Sequence, residues 1–399
     1  MSLADHLDNC FYRAAVASGL IVDLETGHIH PHIEKAFLQH LQTMGHNYTS
    51  VHDLNLGNPP KSISDMEAGG VRIVQRSRTP TSPVPAHHYI VDAGNKDLLD
   101  YPPKTSIVQS TVRDWYTVEE KDSVIFVDDQ GNIELAILRN VCSREDVVKY
   151  VTEVIEEAAD SRRNVRPHHH GKVIQFGYNA GQWHYRLWGL VNNIKNAGLS
   201  SNEKARLDSR MLNVFSITWN IILSKAPAEA VEAVMKAITD ANLPPMAAAG
   251  FEGKSCTTGY SLEIGNTLVT FPFMEHPPCE GYFAINYAAR THRDMIYAPY
   301  AFSWQTHCRQ PLEFVGNPGG NYTDLTLGVT VHSSNDSLMI FRPNFLHGTT
   351  LYRPGTERAG VLFTFSRHIK EAYEVALQKE AEGVVGEDCT AEEEILFYN

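Results

Sequence analysis

Along the chain the apolar residues keep two different periods, and the change from one to the other divides it. Residues 1–55 read as helical: Phe11-Tyr12-Arg13-Ala14-Ala15-Val16 runs up to Gly19, and Ile33 to Leu41 carries apolar residues at helical spacing. Residues 57–84 lose any period. Asn58-Pro59-Pro60, Gly69-Gly70 and Thr79-Pro80-Thr81-Ser82-Pro83 mark a long surface loop, made locally basic by Arg72, Arg76 and Arg78. From Ser123 the pattern shortens to strand length. Ser123 to Val127, a turn over Asp128-Asp129-Gln130-Gly131-Asn132, and Ile133 to Leu138 predict a hairpin. Ser143 with Asp146 predicts a capped helix running to about Asp160. Lys172 to Tyr178 reads as a strand. Helices follow over Asn202 to about Leu223 and Pro227 to about Ala241, the proline sitting in the first turn where its missing N–H is harmless. Both are expected to pack outside a sheet.

Strands then resume at Tyr260–Ile264, Thr267–Phe271, Gly281–Arg290, Ala301–Trp304, Leu325–His332, Leu338–Phe341 and Ala359–Phe365. A last helix spans Ile369 to about Ala381, and an acidic tail follows. Short strands separated by turn residues indicate an antiparallel barrel or jelly roll. The expected fold class is mixed α/β, mainly antiparallel: a double-stranded β-helix core flanked by helices, with an N-terminal helical and loop extension. The expected boundaries are 1–119 for that extension, 120–385 for the jelly-roll domain and 386–399 for the tail.

A chain of 399 residues, 43% hydrophobic and 20% charged, can bury a large core. A formal net charge of −13 weighs against a general nucleic-acid binder, though it leaves room for a local basic groove. No stretch approaches the ~20 apolar residues that span a bilayer, and the N-terminus lacks a signal-peptide pattern, so no membrane partner is expected. Six scattered cysteines without a Cys-x-x-Cys suit a reduced, cytoplasmic setting.

Candidate chemistry concentrates between Tyr282 and Ser366. His292 and Asp294 stand at i and i+2, which on a strand share one face and can reach one ion. His347 suits a third ligand delivered from a different strand. Two His and one carboxylate, with positions left open, match the facial triad of non-haem Fe(II) oxygenases. Arg358 follows His347 by 11 positions (358 − 347), at the head of the apolar run Ala359 to Phe365, and a guanidinium there would hold a dicarboxylate. Phe345 is two before His347, so it lines a substrate pocket or packs the core. Asn286 is six before His292 and is a candidate partner for a co-substrate carboxylate. Adjacent His168-His169-His170 cannot all face one ion and read as a loop with at most an accessory contact. Tyr178, Trp183, Tyr185, Arg186 and Trp188 form an aromatic cluster with one guanidinium; Tyr178 and Arg186 are its substrate-binding candidates, with plain packing as the alternative. His307, His332 and His368 read as surface or core.

The ordered set His292-x-Asp294, His347, Arg358 resembles the Fe(II)/2-oxoglutarate-dependent dioxygenases over roughly the C-terminal half. The resemblance implies Fe(II), 2-oxoglutarate and O2 as cofactors, ascorbate as reductant, and oxidation of a substrate C–H bond with release of succinate and CO2. Ala284 to Asp294 is similar to the His-Arg-Asp region of the TET/JBP-type oxygenases, which oxidise bases in nucleic acid. A second branch comprises the fungal oxygenases of secondary metabolism, which act on small molecules such as free or modified amino acids. The acidic chain, without a Lys/Arg-rich arm, favours a small-molecule substrate over nucleic acid; the latter would imply a nuclear location. A cupin-like barrel that binds metal without oxygen chemistry is the remaining alternative.

Overall fold

Alternation along the hairpin strands gives a sheet two faces, and the computed structural model shows each face covered by a different layer. It describes residues 59–78, 85–92, 115–142, 144–182, 185–247, 277–310 and 316–382, together with the strand backbones at 21–23, 28–29, 47–50, 107–109, 260–264 and 267–271. Of residues 182, 185 and 186 it describes the backbone only.

The strands used below are β1 (Arg72–Gln75), β2 (Tyr89–Val91), β3 (Tyr116–Val118), β4 (Val124–Val127), β5 (Ile133–Arg139), β6 (His170–Gln182), β7 (Tyr185–Leu190), β8 (Glu280–Ala288), β9 (Ala301–Arg309), β10 (Tyr322–Asp324), β11 (Val329–Val331), β12 (Ser337–Phe341), β13 (His347–Thr349) and β14 (Glu357–Phe363). The helices are α1 (Ile63–Ala68), α2 (Glu145–Ser161), α3 (Ser201–Lys225), α4 (Ala228–Ala241) and α5 (Arg367–Ala381).

Nine strands make the large sheet, in the order β7-β6-β8-β14-β9-β12-β5-β4-β1. Its pairs are antiparallel except β1 with β4. A smaller sheet has the order β13-β10-β11-β3. Val124 and Phe126, Leu135 and Ile137, and Ala301 and Phe341 face the small sheet, where they meet Val118, Leu327, Val329, Val331 and Phe345. Their neighbours Ile125, Ala136, Phe302 and Trp304 face the other way into the helices. Two sheets therefore pack face to face, and α2, α3 and α4 close the outer face of the large one.

On that outer face Phe215 of α3 stacks on Phe283 at 4.5 Å and Phe176 at 5.7 Å, and Trp219 meets Phe363 edge-on at 5.4 Å. Gly281 on β8 admits this packing: a Cβ there would stand 2.3 Å from the Phe215 ring. The helices thus pack outside the sheet as their period predicts, and the hairpin 124–138 and the strands through 363, that at 325–332 excepted, form at or near their expected bounds.

Four expectations change. Within residues 1–55, Ile21–Asp23 pairs with His28–Ile29, and Asn47–Ser50 pairs in parallel with Thr267–Phe271, so the region is not helical throughout. The helices foreseen at 11–16 and 33–41 lie outside the described residues. The loop expected over 57–84 contains α1 and β1. Ser62 caps α1 in a box with Asp65, a Ser-x-x-Asp signal easily overlooked among prolines and glycines. Next, α2 starts behind Arg144 with no side-chain cap, and Ser143 lies outside the described residues. Finally, the run 325–332 is no continuous strand. The Asp324 carboxylate accepts from the N–H groups of Thr326 and Leu327 at 2.9 Å each, and this turns the chain between β10 and β11.

Candidate metal centre

His347 opens β13, while His292 and Asp294 sit just beyond β8. The extended geometry that i and i+2 require comes from pairing rather than from a regular strand. His292 N–H donates to the His347 carbonyl at 2.8 Å, His347 N–H returns the bond at 3.0 Å, and Asp294 N–H donates to the Pro343 carbonyl at 2.8 Å. One ligand atom from each of the three side chains lies within 4.8 Å of the others. Asp294 stands 3.5 Å from His292 Nε2 and 3.8 Å from His347 Nε2. The imidazole centroids are 4.3 Å apart.

Both rings are oriented by the chain itself. His292 Nδ1 lies 2.6 Å from the Arg290 carbonyl, and His347 Nδ1 lies 2.9 Å from the Phe345 carbonyl. A carbonyl only accepts, so each Nδ1 carries a proton and each Nε2 is the atom turned to the common centre. Tyr322 stacks on His347 at 5.7 Å and Phe341 meets it edge-on at 5.4 Å. His347 is buried, whereas His292 and Asp294 are half-buried, so the centre has one open side.

Burial, helped by the neighbouring His292, pushes the His347 imidazole down to about 4, so it is neutral. Burial also acts to lower His292, but contact with Asp294 outweighs it and holds His292 above its usual value. Burial acts to raise Asp294, and the two imidazoles overcome it and keep the carboxylate ionised. A neutral imidazole, a second held by a carboxylate, and the carboxylate itself are a donor set that wants a cation.

Arg358 is the second residue of β14, beside the strand that leads to His292. Its guanidinium is enclosed. Its Nη1 donates to the Tyr287 carbonyl at a long 3.4 Å, its buried Nε has no partner, and no carboxylate among the described residues pairs with it. Burial pulls its pKa below the usual value. Gly320, at φ +74, lies flat against it: a Cβ there would stand 2.8 Å from Arg358 Cδ and Nη1. A buried cation with an open donor is costly unless something anionic comes to it.

Asn286 is joined to the backbone of Arg358. Its Oδ1 accepts the Arg358 backbone N–H at 2.7 Å, and its backbone takes the left-handed conformation at φ 49. The side chain thus holds β14 where the bulge in β8 breaks the ladder. Phe345 packs into the inter-sheet core, covered by the Arg78 guanidinium at 4.8 Å, and gives the centre its carbonyl. Tyr178 stacks on Trp188 at 4.4 Å, and both pack with Ile369 and Ala372 of α5. Arg186 lies on β7, but its side chain is outside the described residues. His169 stacks on Tyr287, and His170 meets Tyr89 edge-on. His332 pairs with Glu119 and His307 with Glu357, away from the triad.

No protein-family model matches the chain, and no curated protein matches it. Solved structures do show likeness. NgTET1 in complex with 5mC DNA is 12% identical, over 68% of this chain and 89% of that one, with a TM-score of 0.43. A Pseudomonas putida prolyl-4-hydroxylase is 10% identical, over 59% and 93%, at 0.26. A C-terminally truncated Neurospora crassa protein in apo form is 10% identical, over 58% and 82%, at 0.24. Likeness at this level carries no functional argument.

Proposed function

We propose that this protein is an Fe(II)/2-oxoglutarate-dependent oxygenase that oxidises a C–H bond of a small molecule, the two-sheet core being a double-stranded β-helix. One observation carries the reading: a three-donor cluster with both Nε2 atoms turned inward stands next to a strand that buries a guanidinium without a carboxylate partner among the described residues. A metal-binding barrel with no co-substrate has no use for that second feature.

The donor set fits a non-haem ferrous ion, held by His292, Asp294 and His347 with coordination positions to spare. Arg358 fits the far carboxylate of 2-oxoglutarate, with Gly320 leaving room for the guanidinium that a side chain would take and Asn286 holding the strand that bears it. When bound, ferrous iron with 2-oxoglutarate supplies O2 activation and oxidation of a C–H bond, with succinate and CO2 released. The chain orients the two imidazoles through the Arg290 and Phe345 carbonyls, and it shields His347 from water with Tyr322 and Phe341. The half-buried side at His292 and Asp294 admits the substrate. The catalytic unit is taken as residues 120–385, with β1 and β3 added from the preceding segment. The acidic composition favours a small substrate over a nucleic acid.

Succinate release by the purified protein with Fe(II), ascorbate and 2-oxoglutarate tests this. Slow substrate-free turnover is expected, lost in His347→Ala. Absence of turnover, together with no iron retained by the wild type, overturns the proposal.

A further inference from the structure

The small sheet does not cover the whole inner face of the large one. Under it, Phe126, Leu135, Ile137 and Phe341 are buried. From Ile137 the same face continues along one paired row through Met339, Ser303, Leu362, Tyr282 and Gln175, on β12, β9, β14, β8 and β6. The last four are only half-buried, although three of them lie on inner strands of the sheet. Phe176, Phe283 and Phe363, one position further along their strands, face the helices, which confirms the parity. Beside Tyr282 and Leu362 on the inner face come Ala284 and Gly360, which leave room above the sheet.

The triad stands over this room. Past β8 the chain joins the small sheet: the Ala289 carbonyl accepts from the Thr349 N–H at 3.0 Å, and His292 and Asp294 pair with His347 and Pro343. It then returns to the large sheet at the far end of β14. Ile296 bridges Ser366, the Met295 carbonyl accepts from the Arg367 N–H at 3.0 Å, and the Tyr297 N–H donates to the Phe365 carbonyl at 3.0 Å. The Ser366 N–H is held at 2.7 Å by Glu280, the first residue of β8. The segment bearing His292 and Asp294 therefore folds back along β8, and Asp294 arrives at the start of that strand, where Glu280 and Tyr282 stand. Phe341, on the same inner face, meets the His347 ring.

Three polar side chains in this row are ordered by one another. The Tyr282 hydroxyl donates to the buried Glu280 carboxylate at 2.8 Å. Gln175 Nε2 donates to the Tyr282 hydroxyl at 3.3 Å and to the Tyr178 carbonyl at 3.4 Å. A carbonyl only accepts, so the amide cannot be turned over and both its hydrogens are engaged. Gln175 Oε1 accepts no hydrogen bond among the described residues. We propose that Gln175 orients the substrate of this site: its Oε1 accepts a hydrogen bond from an N–H or O–H of an uncharged small molecule, and so selects the C–H bond that faces the metal. This rests on the oxygenase reading and deepens it. Tyr282 and Glu280 are positioning residues that hold the amide in one orientation. The wall offers acceptors, with the Glu280 and Asp294 carboxylates close by, so it welcomes a donor and turns an anion away. A molecule of the same shape without a donor leaves Oε1 covered and unpaired, and is rejected on that account.

The test uses the full chain loaded with Mn(II) and saturated with 2-oxoglutarate, so that Arg358 is already engaged. Benzamide, N,N-dimethylbenzamide and benzoate are titrated into the wild type, Gln175→Met and Tyr282→Phe. Calorimetry reads affinity, and the relaxation that Mn(II) induces in the ring protons reads nearness to the metal. Benzamide should bind the wild type beside the metal, at least ~10-fold tighter than either of the others. Gln175→Met should abolish the gap between benzamide and N,N-dimethylbenzamide, and Tyr282→Phe, which frees the amide without removing it, should narrow it. No preference for benzamide in the wild type, a preference that survives in Gln175→Met, tighter binding of benzoate, or binding without induced relaxation overturns the proposal. Where Gln175→Met fails to fold, an undiminished preference in Tyr282→Phe overturns it instead. Metal analysis separates the two readings. Mn(II) and 2-oxoglutarate retained with benzamide ignored sinks the substrate proposal only, whereas Mn(II) lost by the wild type sinks the oxygenase reading and this one with it.

Discussion

Replacing Arg358 with methionine should move stability and co-substrate affinity in opposite directions. The guanidinium is buried with an orphaned Nε and one long bond of 3.4 Å, so in the absence of a ligand it contributes mainly a desolvation penalty. Methionine has a similar unbranched stem and fits against Gly320 without the charge. Exchanging poorly compensated buried charge for a well-packed apolar side chain is neutral or stabilises by up to about 4 kcal/mol, so the ligand-free variant should unfold no earlier than the wild type. Affinity for 2-oxoglutarate should collapse. A forked pair of charge-assisted hydrogen bonds, at ~1.5–3 kcal/mol each, puts the loss at ~100-fold or more.

Urea unfolding of the metal-free proteins gives the first quantity, and calorimetric titration of 2-oxoglutarate into the Mn(II)-loaded proteins gives the second. A structural arginine behaves the other way. If Arg358→Met unfolds more than ~2 kcal/mol sooner and binds 2-oxoglutarate like the wild type, the guanidinium holds β14 in place, and its assignment to the co-substrate fails.

Asn286→Gly tolerates φ 49 and removes the acceptor for the Arg358 N–H; it should cost about 1–3 kcal/mol and weaken 2-oxoglutarate binding, while Asn286→Ala should cost roughly 1 kcal/mol more from backbone strain, all measured by urea unfolding and titration. Glu280 is fully buried, accepting from the Ser366 N–H and the Tyr282 hydroxyl, and burial raises its pKa from 4.5 to about 7. Because the folded state holds the proton more tightly than the unfolded one, stability is highest below about 4.5, falls as pH rises to about 7 and is level above it. At ~1.4 kcal/mol per pH unit the loss is about 3 kcal/mol, and it should be absent in Glu280→Gln when unfolding is compared across that range.

The triad was legible because its chemistry survives ignorance of the exact backbone. His292 and Asp294 were placed on a strand and in fact lie beyond one, but any extended segment puts i and i+2 on one side, and the bridge to His347 supplies that extension. Arg358 stood out as a charge opening an apolar run. By the same rule Glu134, set between Ile133 and Leu135, should have drawn notice: it is completely buried and takes both Arg78 and Arg342. Asn286 was harder. Its side chain completes a ladder that a bulge interrupts, and no pattern of apolar and polar positions reveals a left-handed residue inside a strand. Phe345 has the parity of His347, and both rings face the same layer: Phe345 packs in the cluster of Phe341 and Tyr322, the two rings that meet His347. The Arg342 carbonyl accepts from the Phe345 N–H at 3.0 Å, and the ring is carried into the core between the sheets.

The segment expected to be an appendage reaches into the centre through Glu134. Arg78 binds both oxygens of that carboxylate, at 2.6 and 2.8 Å, and lies over the Phe345 ring; Arg342 binds the same carboxylate at 3.0 Å and the Ile133 carbonyl at 3.0 Å. The turn 342–346 is therefore gripped at both ends by charges anchored on β5. It is this turn that offers the Phe345 carbonyl to His347 Nδ1 and the Pro343 carbonyl to Asp294 N–H. Remove Arg78 and a fully buried carboxylate keeps one cation where it had two, while the ring that covers the turn loses its lid. His292, Asp294 and His347 converge because Glu134 and its two arginines hold the turn that orients them. A chain begun at residue 120 would keep His292, Asp294, His347 and the Arg342–Glu134 pair but lose the Arg78 contacts to Glu134 and the Phe345 ring.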